Sequence, residues 1–137
     1  MNPQLCILSD PVATDLSTGQ PAAASSSSST AWKAVDGDTG RTHPNEFHSS
    51  GGTNEWLRVQ LKSTTTNPEI TIYARDCCTS DYGKELFFMI GATDDKSKAT
   101  DCASKSGIEA SSTHTVTCTG TGQYVWIRGD PCNCLKI

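Results

Sequence analysis

The feature that most constrains this chain is a succession of short runs in which apolar or β-branched residues alternate with polar ones. They fall at Trp56-Leu57-Arg58-Val59-Gln60-Leu61, Glu69-Ile70-Thr71-Ile72-Tyr73-Ala74, Leu86-Phe87-Phe88-Met89-Ile90, His114-Thr115-Val116-Thr117-Cys118 and Gln123-Tyr124-Val125-Trp126-Ile127-Arg128. Successive side chains on a strand point to opposite faces, so each run can bury one face and wet the other. Clusters of Gly, Pro, Asn and Asp separate the runs and supply turns. Nowhere do apolar residues recur at helical spacing for three turns. Only Asp94 to Lys105 has a composition open to a short helix, and it suits a loop as well. The pattern predicts an all-β antiparallel sandwich, of which the jelly roll is one form.

With 137 residues the chain has room for one domain, 1–137, with one core that folds without a partner chain. Its first thirty residues read as a capping segment: an apolar piece at Leu5, Cys6, Ile7 and Leu8, then Pro11, Gly19-Gln20-Pro21 and a serine run from Ser25 to Ser29. The run leads directly into Ala31-Trp32-Lys33-Ala34-Val35-Asp36-Gly37-Asp38, which makes it a surface loop inside the domain, not a linker. Trp32, Trp56 and Trp126 lie in strand or loop-start patterns and are expected in the core.

Charge and cysteine usage narrow the function. The formal charge is -4 and the eleven Lys and Arg residues form no run, so the basic footprint that holds phosphate backbones is missing and nucleic acid is not a partner. No apolar stretch is long enough to insert in a membrane. Seven Cys without zinc-type spacing point to disulfides in an oxidising, secreted or extracellular setting. The odd count leaves one thiol free, paired outside this chain, or parted from a partner beyond it. Reactive thiols want an electropositive setting, which this acidic chain does not offer, and no nucleophile-elbow or paired-carboxylate pattern is present, so the chain is not read as an enzyme. Arg128-Gly129-Asp130 spells an adhesion tripeptide, a motif common by chance in turns.

The most informative stretch runs from His48-Ser49-Ser50-Gly51-Gly52-Thr53-Asn54-Glu55 through Trp56-Leu57-Arg58-Val59-Gln60-Leu61 to Arg75-Asp76-Cys77-Cys78. It resembles the signature of the F-type lectins, a family with a discoidin-like fold. There a His precedes a W-x-R-V-x-L strand, and a later strand ends in Arg, Asp and two adjacent Cys. The interval from His48 to Arg75 equals the family's interval between its two sugar-contacting residues, although Arg75 and Asp76 are adjacent here where the family has one residue between them.

The resemblance implies binding of fucosylated glycans in recognition or cell adhesion. The alternative from the same fold is an adhesion domain that binds protein or lipid. His48 and Arg75 would hold the sugar by hydrogen bonds. Cys77 and Cys78, paired with each other, would floor the site. The place of the family's second Arg falls here at Asp81 or Tyr82, and Tyr82 or the nearest cation, Lys84, would take over its contact.

These residue types suit a sugar on their own chemistry. A guanidinium is a rigid fork of donors, an imidazole adds a donor or acceptor, and a sulfur platform offers apolar surface to C–H groups.

Ala34-Val35-Asp36-Gly37-Asp38 resembles the opening of the family's calcium loop, which implies Ca2+ held by the Asp36 carboxylate and the carbonyls of Lys33, Asp38 and Asn45. Cys102 and Cys118 have the spacing of the family's loop-closing disulfide. Cys6 is left to pair with either Cys132 or Cys134 and tie the chain ends together. The sequence stops at Leu135-Lys136-Ile137 where the family has a Cys followed by an acidic strand, and Leu5-Cys6-Ile7 resembles that strand's start. A tandem array with its terminal strand supplied from the other end is the expectation. Single-site sugar binding is weak, so a homo-oligomer or array is expected on grounds of multivalency too.

Overall fold

The computed structural model describes residues 15–37, 47, 55–74, 85–109, 112–129 and 133–137, with 133–136 as backbone only. Among these, eight strands form two antiparallel sheets. The strands are β1 (Ala22–Ala24), β2 (Trp56–Thr66), β3 (Glu69–Ala74), β4 (Leu86–Gly91), β5 (Thr100–Lys105), β6 (Thr113–Thr117), β7 (Thr121–Arg128) and β8 (Asn133–Lys136). One sheet has the order β1-β2-β7-β4-β5 and the other β6-β3-β8. The all-β antiparallel sandwich expected from alternation is the fold observed.

The alternation decides which face of each strand enters the core. Leu57, Val59 and Leu61 of β2, Leu86, Phe88 and Ile90 of β4, and Val125 and Ile127 of β7 are buried from one sheet; Ile70, Ile72 and Ala74 of β3 meet them from the other. Fully burying a side chain of this size stabilises the fold by roughly 1.5–3 kcal/mol, so these positions dominate the folding energy.

Two devices close the open sides between the sheets. A 3-10 helix, Ser28–Val35, packs against both β1 and β8 and buries Ala31, Ala34 and Val35. On the opposite side the Cys102–Cys118 disulfide joins β5 to the residue that follows β6, as the resemblance implied. The two ends of the described chain also meet: Leu16 N–H donates to the Ile137 carbonyl (2.6 Å), and Ile137 N–H donates to the Ser17 hydroxyl (2.9 Å). The expected pairing of Cys6 with Cys132 or Cys134 is not described: Cys6 and Cys132 lie outside the described residues, and for Cys134 only the backbone is described.

The structure departs from the sequence reading in several places. Asp94 to Lys105 is a single 3-10 turn, Lys96–Lys98, followed by edge strand β5. Asn133–Lys136, which the alternation did not mark, is a strand paired with β3 in the register Thr71↔Lys136 and Ala74↔Asn133, while Leu5-Cys6-Ile7, expected to supply the terminal strand, lies outside the described residues. Trp32 is not in the core: it stands 55% exposed on the 3-10 helix. Trp56 is only partly buried, whereas Trp126 is fully buried as expected, on the other face of its sheet from the main cluster and beneath the β4–β5 connection. There it faces Gly91, where an added Cβ would meet both the indole and Ala99 at 3.3 Å. Of the serine run, Ser25, Ser26 and Ser27 form a loop inside the fold, as expected, while Ser28 and Ser29 open the 3-10 helix, which the sequence reading did not anticipate.

Candidate functional site

Strand register determines which ends share a rim. Trp56, the first residue of β2, lies opposite Arg128, the last of β7, and Phe87 near the start of β4 lies opposite Arg128 as well. In the second sheet, Tyr73 and Ala74 close β3 opposite Thr113 and Asn133, which open β6 and β8. Only four residues of sequence join β7 to β8, so the two sets of ends belong to one end of the sandwich. This rim therefore gathers the starts of β2, β4, β6 and β8 with the ends of β3, β5 and β7.

Two of the sugar-binding residues expected from sequence directly follow buried core residues. His48 follows Phe47, whose ring is completely buried in the core, and Arg75 follows Ala74, the buried last residue of β3. His48, Arg75, Cys77, Cys78, Tyr82 and Lys84 themselves lie outside the described residues, as do Asp38 and Asn45. What is described is how firmly their neighbours are fixed. Phe47 and Ala74 are both fully buried members of one apolar cluster, so the chain enters both segments from rigid ground.

The rim carries polar groups that sequence reasoning did not single out. Glu55, just before β2, accepts hydrogen bonds from the hydroxyls of Ser25 (2.6 Å) and Ser26 (2.9 Å to each carboxylate oxygen). Ser25 Oγ in turn accepts from Trp56 N–H (2.9 Å), and the Glu55 carbonyl accepts from Gly129 N–H (3.1 Å). Three segments distant in sequence are thus latched at one point. Across the rim, His114 Nε2 and the Ser112 hydroxyl lie 2.9 Å apart, and Ala74 N–H donates to the Ser112 carbonyl. Burial, then the nearby Lys105 charge, lowers the His114 pKa from its ordinary value, with Glu109 opposing. A serine run gives no sign of such a latch, because the partner at Glu55 is set by the fold.

Of the expected calcium ligands, Lys33 and Asp36 are described. Lys33 lies in the last turn of the 3-10 helix and Asp36 caps it with φ -85° and ψ 0°. Gly37 then takes φ +87°, a left-handed turn that a side chain would disfavour, with Thr18 closely packed on it. The described donors amount to one carboxylate and one carbonyl in a sharply turning segment. Among the described residues no group of three His, Cys, Asp or Glu could hold a metal ion.

Arg128, the first residue of the adhesion tripeptide, is committed elsewhere. Its guanidinium lies 5.0 Å from the Phe87 ring centroid and 3.4 Å from the Asp101 carboxylate, within a strand.

Comparison with known proteins sets this geometry in context. The profile of the NedA-like, galactose-binding domains, a group of F5/F8 type C domains, matches residues 33–127. No curated protein matches the chain. Among solved structures, a fucolectin from Morone saxatilis (striped bass) serum is similar with a TM-score of 0.77 and 22% identity, over 91% of this chain and 47% of that one. This chain thus spans about half the length of that lectin. A family 32 module from Clostridium perfringens, solved with GalNAc-β-1,3-galactose, is similar at TM-score 0.69 and 13% identity, covering 90% of this chain and 95% of that one. A fucose-binding module from Streptococcus pneumoniae is similar at TM-score 0.67 and 16% identity, covering 90% and 96%.

Proposed function

This chain belongs to the family of NedA-like, galactose-binding domains, the discoidin-like class that the F-type lectin resemblance pointed to, and from that premise we propose that it is a non-catalytic module binding fucose-containing glycans. The observation that carries the proposal is that Phe47 and Ala74, the residues preceding His48 and Arg75, are both fully buried in one apolar cluster of the sandwich. In this reading the Arg75 guanidinium donates to adjacent sugar hydroxyls, His48 adds a hydrogen bond at an angle, and Cys77-Cys78 presents sulfur to the sugar's apolar face. Tyr82 or Lys84 supplies the remaining polar contact. The fold neighbours that bind fucose and galactose-type sugars support this reading.

Arg75→Ala and His48→Ala test it. A charge-assisted hydrogen bond contributes about 1.5–3 kcal/mol and an uncharged one about 0.5–1.5, so L-fucose binding should weaken by at least about tenfold in Arg75→Ala and by about two- to tenfold in His48→Ala in calorimetric titration. Unchanged affinity in both would refute the site. A wild-type preference for galactose over fucose would keep the carbohydrate reading and correct the sugar.

Calcium belongs to the same proposal, with Asp36 as the carboxylate ligand and the carbonyls of Lys33, Asp38 and Asn45 beside it. When bound, a hard cation of this kind supplies charge that draws backbone carbonyls together. Support comes from the turn at Asp36-Gly37. Chelator should lower the melting temperature of the wild type and not of Asp36→Ala; equal melting with and without chelator would remove the metal. We place the domain outside the cell, consistent with the disulfide between Cys102 and Cys118. We also expect it to work in a tandem array or oligomer, where multivalency strengthens weak sites.

A further inference from the structure

Trp32 is the exposed large hydrophobic residue among those described, at 55% exposure. Its helix is anchored by Ala31, Ala34 and Val35, each at most 1% exposed, so the indole projects from a rigid support. The Lys33 ammonium lies 5.9 Å from its ring centroid. An indole held in water forgoes the burial that gives tryptophan its weight, and a flat aromatic face on a fixed support suits the C–H face of a pyranose.

The helix starts at the candidate site. Ser28 Oγ accepts from Ala24 N–H, Ala24 lies opposite Leu57 near the start of β2, and Ser25 and Ser26 reach Glu55 at the rim. From Ser28 to Trp32 is about 8 Å along a 3-10 axis, at about 2.0 Å per residue. Glu55 accepts two hydroxyl protons, while a carboxylate offers about four lone-pair positions, so acceptor capacity for a sugar hydroxyl remains.

We propose that the surface leading from the Ser25-Ser26-Glu55 ledge onto Trp32 is a second sugar subsite, which takes an inner residue of an oligosaccharide whose terminal sugar sits at the rim. The inference rests on the carbohydrate reading above. Glu55 accepts a hydroxyl of the inner residue and Trp32 stacks on its apolar face, so affinity rises with glycan length.

The test compares wild type with Trp32→Ala on two ligands: methyl α-L-fucoside and a trisaccharide carrying fucose at its non-reducing end. The wild type should bind the trisaccharide more tightly than the fucoside. Trp32→Ala should leave the fucoside affinity within about twofold and weaken the trisaccharide about three- to tenfold, the range of one aromatic contact. The trisaccharide should also shield the wild type's tryptophan fluorescence from acrylamide, and the fucoside should not. The melting temperature should not change, because the side chain is exposed.

Equal loss on both ligands, or loss on neither, overturns the second subsite. So does a change in sedimentation on Trp32→Ala with sugar affinity intact, which would assign the indole to contact between two copies of the chain. If the wild type binds neither ligand, the fucose reading itself fails and the subsite falls with it. If it binds the fucoside with no gain for the trisaccharide, only the subsite fails.

Discussion

Removing the Cys102–Cys118 bond by Cys102→Ala with Cys118→Ala should lower stability by an amount the structure sets. The cysteines are 16 residues apart, and restricting a loop of that size in the unfolded chain contributes about 3 kcal/mol. Unfolding entropy of about 2.1 cal/mol/K per residue gives about 290 cal/mol/K for 137 residues, so the melting temperature should fall by roughly 10 °C. Cys118 is fully buried, so its truncation adds a small cavity cost to that figure.

The structure also says where the loss begins. Among the described residues β6 is an edge strand that pairs with β3 alone, and the disulfide holds its far end to β5. Amides of Thr113–Thr117 should therefore lose hydrogen-exchange protection first, while β2 and β7 keep theirs. Differential scanning calorimetry, with and without reductant, measures the first effect. A fall of less than about 3 °C, or an equal fall for wild type and variant on adding reductant, would refute the role given to this bond.

Two further changes probe the frame and its pH response. Gly122→Ala should destabilise the fold by at least about 2 kcal/mol in denaturant titration, because its Cβ would overlap the backbone carbonyl of Gly91 on the neighbouring strand; a midpoint shift under about 0.5 kcal/mol would contradict that close approach. His114 binds its proton less readily in the fold than in the unfolded chain, so its stabilising contribution is present above the ordinary value of 6.5 and is lost as pH falls through the lowered folded value. An NMR titration should place its midpoint below 6.5, and His114→Gln should flatten the stability profile on the acid side; a midpoint above 6.5 would reverse the sign.

Much of the fold was legible in the sequence because the core is built on alternation. The run from Glu69 to Ala74 coincides with β3, and the inward residues of β2, β4 and β7 are the apolar members of their runs. What was not legible is structure set by partners. Ala22–Ala24 has no strand propensity of its own and is a strand because its backbone pairs with Leu57 to Val59. Thr100–Lys105, polar and poor in β-branched residues, is a strand because β4 offers it an edge. Trp32 was expected in the core from its loop-start pattern, and its exposure reflects which side of a 3-10 helix faces the seam.

For the candidate site, the sequence supplied His48, Arg75 and the cysteine pair by resemblance, and the fold adds the buried residues Phe47 and Ala74 that precede His48 and Arg75. The Ser25-Ser26-Glu55 latch was invisible beforehand, since hydroxyl and carboxylate come from segments about thirty positions apart in sequence, the separation at which long-range polar contacts escape pattern reading.

The central claim is that His48 and Arg75, each following a residue buried in one core, together build a fucose site. A calorimetric titration of L-fucose into wild type and into the double variant His48→Ala/Arg75→Ala tests it most directly. The account predicts saturable single-site binding to the wild type and no measurable heat of binding to the variant at the same melting temperature. Wild-type binding that survives in the variant, or no binding of L-fucose by a folded wild type, would contradict it.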